Sequence, residues 1–377
     1  MQNQIINFKT SLITSFDNQF NKKEFDFQNN AFDFIRLILA LVVVVFHATK
    51  VGDFPFFASL FYFDQHDWDT GGGYWGGMAV NGFFLISGFL ITKSAIASSS
   101  LVSYFQKRFL RIYPAYLISL LLTCCLFVPL IAISKDILTT NWLNILTETV
   151  TFFFRNLFIE TPVTQIISVD SGYINGSYWT LLQEFRAYIL VGGLVYIGSK
   201  LPFVKQHFNI IFVFLAIFVN LFYLFGSKLP IVRAVLDRVF TDFRFFVLFS
   251  YFLVGGAFYL YHKNINWSFI NFTLSIVGIL CGFYFDLLAV FLPVCGGYTL
   301  LYLSQILPFQ TISKKFGDMT YGVYVYSSPI LSLLLAFGVT KYGFEIYTLL
   351  AITLSLLAGY LSYHLVEKPF LSHRNKT

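Results

Sequence analysis

Residues 32–50 read FDFIRLILALVVVVFHATK. The unbroken apolar run from Leu37 to Phe46, with its flanks, gives a segment near 20 residues, long enough to cross about 30 Å of hydrocarbon as a helix. Arg36 and His47 sit inside it. An ionisable side chain in such a span is costly and is a functional candidate for that reason. Eleven positions separate the two, about 16–17 Å along a helix and close to three whole turns, so both face one side. Snorkelling to the inner headgroups would also explain Arg36, and interfacial packing would explain His47.

The rest of the chain agrees with this opening. Of 377 residues, 57% are hydrophobic, 20% aromatic and only 12% charged, against about 25% charged in soluble domains. This composition excludes a water-soluble fold and predicts an all-α, polytopic transmembrane bundle. No basic stripe interleaved with aromatics suggests nucleic acid. Ten apolar runs reach span length: 31–49, 76–94, 112–133, 180–198, 209–226, 243–261, 267–285, 287–304, 318–339 and 345–366. An eleventh, 142–159, contains Glu148 and Arg155 and reads as an interfacial or re-entrant helix. Residues 1–30 form a polar tail without a signal-peptide pattern, 31–370 one transmembrane domain, and 371–377 a second short tail.

Charge placement orients the bundle. With ten spans, Lys93, Lys107, Arg108, Arg111, Lys200, Lys205, Lys263, Lys314, Lys315, Lys368, Arg374 and Lys376 fall on one side, with both termini. That side is the cytoplasm, and most of the net charge of +6 belongs there. Asp53, Asp64, Asp67, Asp69, Asp136, Glu148, Glu160 and Asp170 fall outside. Cys124, Cys125, Cys281 and Cys295 lie in apolar runs without metal-ligand spacing and read as small buried hydrophobes. No metal is expected; His66 among Asp64, Asp67 and Asp69 reads as a solvated acidic loop.

Two further groups carry chemistry. Glu184, in SYWTLLQEFRAYIL, lies about one turn into the fourth span, at an expected depth matching His47. A carboxylate on one ring nitrogen would set the tautomer and stabilise the imidazolium; pairing with Arg186 is the structural alternative. Lys107, Arg108 and Arg111 cluster in SYFQKRFLRIYPAYL. Arg108 and Arg111, three apart, share a helix face and would either anchor topology or clamp phosphates. Gly82, Ser87 and Gly88 in NGFFLISGFLITKS allow close helix packing. Ser87 lacks the Gly-x-Ser-x-Gly frame of a hydrolase elbow.

These motifs, in this order, resemble the acyltransferase-3 family of bacterial membrane O-acyltransferases, from about 32 to 371. The resemblance rests on Arg36 and His47 in the first span, FFLISGFLI at Phe83 to Ile91, and RFLRIYPAY with Arg108 and Arg111. It extends to Trp179 with Glu184 and to the closing Glu367 to Phe370. It implies a ten-helix core in the bacterial inner membrane that takes acyl-coenzyme A, acetyl-coenzyme A above all, from the cytoplasm. The acceptor would be a hydroxyl of a cell-surface or lipid-linked carbohydrate. His47 would be the general base and Glu184 its partner, with Arg36, Arg108 and Arg111 handling the donor. The chain departs from the family pattern at Ser327, where many relatives carry a histidine two residues before the proline, here Pro329. A transporter or flippase of lipid-linked sugars, or a polysaccharide polymerase, is the alternative. The first predicts repeat symmetry, which is not evident, and the second explains neither the Arg36/His47 spacing nor the Glu-Lys-Pro-Phe end.

Overall fold

The computed structural model describes residues 24–61, 74–158, 166, 174–226, 229–232, 234, 238, 244–310 and 315–373. The acidic loop with Asp64, His66, Asp67 and Asp69 lies outside these, as do Glu160, Asp170, Lys314, Arg374 and Lys376. Seven helices among the described residues are long and apolar enough to cross a membrane. They are α1 (Phe32–Val51), α2 (Trp75–Ala97), α3 (Leu101–Ser134), α5 (Tyr178–Lys200), α6 (Pro202–Gly226), α9 (Leu288–Ile306) and α11 (Phe344–Leu371). Three further apolar helices are shorter, α7 (Arg244–Leu260), α8 (Phe269–Tyr284) and α10 (Thr320–Ala336). Every apolar run therefore became a helix, but α7, α8 and α10 fall below the roughly 20 residues of a full crossing.

The eleventh run is α4 (Leu138–Asn156), the most strongly amphipathic of the long helices. Ile145 and Phe152 face the bundle while Trp142, Leu143, Leu146, Val150 and Phe154 are exposed. Its last carbonyls have no partner within the helix; Tyr116 Oη donates to Asn156 O (2.6 Å) and Tyr113 Oη to Leu157 O (3.0 Å).

Three expectations change. The third helix begins at Leu101, capped by Ser100 Oγ accepting from Ser103 N–H, rather than at 112. Its 34 residues reach about 50 Å, so Lys107, Arg108 and Arg111 ride on the helix itself rather than in a loop. The stretch before α1 is not simply a tail. Phe25 is buried beside Phe32, Phe89 and Trp267, and Asp26 N–H donates to Gln305 Oε1 (2.7 Å). The four cysteines are unbridged and half-buried or exposed rather than buried. Lipid is as apolar as a protein core, so an outward cysteine on a span costs nothing.

The centre is set by α2 against α7. A Cβ added at Gly88 would collide with the Phe252 carbonyl, and one at Gly255 with the Leu85 carbonyl. The two backbones touch there, which only glycine permits. On the other side α1 packs along α2, α10 and α11. Gly82 meets Leu39 and Gly76 meets Phe46, so α1 and α2 run antiparallel in a fixed register.

Candidate active site

Arg36 enters the bundle from α1 and meets Asp318, two residues before α10, at 2.9 Å. Arg111 from α3 pairs with the same oxygen, Asp318 Oδ2, and its Nη1 lies 3.7 Å from Glu367 Oε2 on α11. Two guanidiniums and two carboxylates thus close into one largely buried cluster. Gly317 positions Asp318: its φ is +81° and an added Cβ would strike the Tyr363 ring, so no L side chain fits. A π-helical turn over Tyr363–Glu367 inserts an extra residue into α11 and re-phases it, which brings Glu367 inward, 2% exposed, just before Pro369. Arg108 takes a separate course to Ser94 Oγ at 3.3 Å. Arg108 and Arg111, which share a helix face, thus have different partners, Arg111 being held by the two acids.

Beside this cluster lies a small, partly open cavity of about 50 Å³. Arg36 and Glu184 both line it, with Ser87, Thr180 and the rings of Phe83, Tyr321 and Tyr324 among its walls. Glu184 Oε1 accepts from Ser87 Oγ (3.2 Å) and from Tyr188 Oη one turn further along α5. Thr180 and Tyr324 share a hydroxyl–hydroxyl bond of 2.7 Å.

His47 does not join Glu184. Phe46 stacks on Tyr74 at 5.0 Å and faces Gly76, so His47 sits beside the N-terminal start of α2. Ser87, which holds Glu184, is eleven residues further along that helix from Gly76, about 16 Å along its axis. The equal-depth expectation fails because Glu184 is reached through Ser87 at the level of Arg36. His47 is half-buried, its ring edge-on to Phe46, and among the described residues it makes no hydrogen bond. Trp179 instead stacks under the Arg244 guanidinium at 4.2 Å.

The entry to α5 is stitched to α10. Pro329 lies inside α10 and has no N–H for Val325 O; Asn175 Nδ2 donates to that carbonyl at 3.0 Å. Ser328 Oγ accepts from Gly176 N–H (2.9 Å), and Ser177 Oγ donates to Tyr324 O (2.9 Å). Ser327, at the position of departure, donates to Tyr324 O (3.0 Å) and is buried. The sequence offered the arginines of this site but not Asp318, Tyr188 or Asn175. Their signal is a partner far along the chain.

The geometry is that of a helical membrane protein with a mostly apolar cavity among its spans, lined also by Arg36 and Glu184. Residues 29–364 match the acyltransferase domain family, and the chain belongs to it: it is an acyltransferase, and the acyltransferase-3 resemblance stands. It is 30% identical over 367 residues to the O-acetyl transferase of Shigella phage Sf6, covering 92% of this chain and 97% of that one. A segment of 130 residues is 33% identical to nodulation protein 10 of Rhizobium leguminosarum bv. viciae, 31% of this chain and 33% of that protein. No solved structure matches the chain.

Proposed function

We propose that this acyltransferase moves an acyl group, acetyl in the first instance, from cytoplasmic acyl-coenzyme A to a hydroxyl of a cell-surface or lipid-linked carbohydrate. It would do so from the bacterial inner membrane, through ten spans with both termini in the cytoplasm. The observation that carries this reading is the cavity lined by both Arg36 and Glu184, two ionisable side chains within the apolar spans. The acetyl transfer named for the phage relative supports it.

In this mechanism the nucleotide of the donor stays at the cytoplasmic end near Arg108, and its arm rises past Arg36. Arg111 holds Asp318 and Glu367, and through them the position of Arg36. At the outer end His47 takes the proton of the acceptor hydroxyl as its oxygen attacks the thioester carbonyl. The carbon–sulfur bond breaks, and the coenzyme leaves as the thiol once its sulfur takes up a proton. General-base help of this kind contributes about 10²–10⁴-fold, and alignment of both reactants adds to it. His47→Ala, in membranes where the protein inserts normally, should lower transfer by about 10²-fold or more while donor binding stays unchanged. Full activity would remove His47 from the chemistry.

A further inference from the structure

Glu184 has one oxygen spent and one open. Oε1 receives both hydroxyls, from Ser87 and Tyr188, while Oε2 has no hydrogen bond among the described residues, and Glu184 is one of the residues that line the cavity. The double anchor fixes the carboxylate and leaves Oε2 as an acceptor. Apart from Arg36 at one side, the rest of the lining is largely apolar and aromatic, with Val80, Phe83, Leu181 and Tyr321, and the Thr180 and Tyr324 hydroxyls bond each other. A polyhydroxylated sugar ring would leave most of its groups unpaired in such a chamber, at a cost. A slim chain with an isolated N–H would not.

We infer that this cavity is the seat of an amide-bearing arm of the acyl donor, and that Glu184 Oε2 accepts an amide N–H from it. Glu184 is then a donor-binding residue, with Ser87 and Tyr188 as its positioning residues. The assignment rests on the coenzyme A reading above. It also gives the roughly 16 Å between the Ser87 level and His47 a purpose: the arm is gripped low in the bundle and its thioester end points outward along α1.

The test uses the purified full-length protein with acetyl-coenzyme A and two analogues, each with one of the two arm amides replaced by an ester that lacks the N–H. For the wild type, one analogue should fall about tenfold in kcat/KM, as expected for losing a hydrogen bond to a charged acceptor. In Glu184→Met that difference should shrink to within about twofold. A preference of the same size in the variant, or none in the wild type, overturns the inference. Should Glu184→Met fail to fold, Val80→Phe fills the same cavity from α2. It should raise the KM for donor about tenfold and leave that for acceptor unchanged; a rise in acceptor KM alone overturns the inference. Absence of any turnover of acetyl-coenzyme A by the wild type would instead sink the donor reading itself.

Discussion

Asp318 Oδ2 takes a hydrogen bond from each of two guanidiniums, and the cluster of Arg36, Arg111 and Glu367 is built around it. Removing one partner from a buried ionic group leaves a charge without compensation and costs about 3–5 kcal/mol. Asp318 retains some exposure, 15%, so the lower end applies. Asp318→Ala should lower stability by about 3 kcal/mol in detergent unfolding, and Asp318→Glu should recover part of it; unchanged unfolding in Asp318→Ala would reduce the cluster to a surface feature. Arg108, outside that cluster, is predicted to act on the donor alone: Arg108→Ala should weaken coenzyme A binding about tenfold, as for loss of one charge-assisted contact, with the unfolding transition unmoved. Unaltered affinity would make it a topology anchor. At this scale the sequence was half legible. Arg36 stood out because a guanidinium in an apolar run has no bland surroundings, and Arg111 because it shares a helix face with Arg108 in a basic cluster. Asp318 follows KKFG at the very start of the 318–339 run, where a carboxylate looks like an ordinary solvated span end, and the π turn that swings Glu367 inward leaves no periodic trace.

Helix contacts show where one atom decides packing. At Gly88 the colliding group would be a backbone carbonyl of α7, which cannot rotate away, so Gly88→Ala should cost about 3 kcal/mol or more and displace Ser87 with it. Loss of activity and a lowered unfolding temperature together would bear this out; a neutral Gly88→Ala would mean the helices stand further apart. The stitch at Pro329 makes a sharper claim. Asn175→Ala should destabilise by about 1–3 kcal/mol by orphaning the Val325 carbonyl. In a Pro329→Ala background, where residue 329 regains an N–H, the same change should cost less than half as much. Strictly additive effects would contradict the stitch. Close packing of α2 was legible in Gly82 and Gly88, though not the partner helices, α1 at Gly82 and α7 at Gly88. The stitch was not, since Asn175 lies 150 residues from Val325.

For the whole molecule, hydrophobic runs located each apolar helix to within a turn or so at most ends, because a span must satisfy its backbone within itself. Depth was less legible. Counting residues from an assumed entry point put Glu184 level with His47, but α5 is tethered through the 174–177 turn deep in the bundle, where Ile174, Asn175 and Ser177 are at most 2% exposed. That tether lowers Glu184 to the level of Arg36, so the account separates donor grip from base by most of a span. The most direct test is release of free thiol by the purified protein given acetyl-coenzyme A with and without a panel of glycans. The account predicts thiol release that rises when the right glycan is added and matches acetyl ester formed on it, one for one. Carbohydrate bound or moved with no thiol released would contradict it.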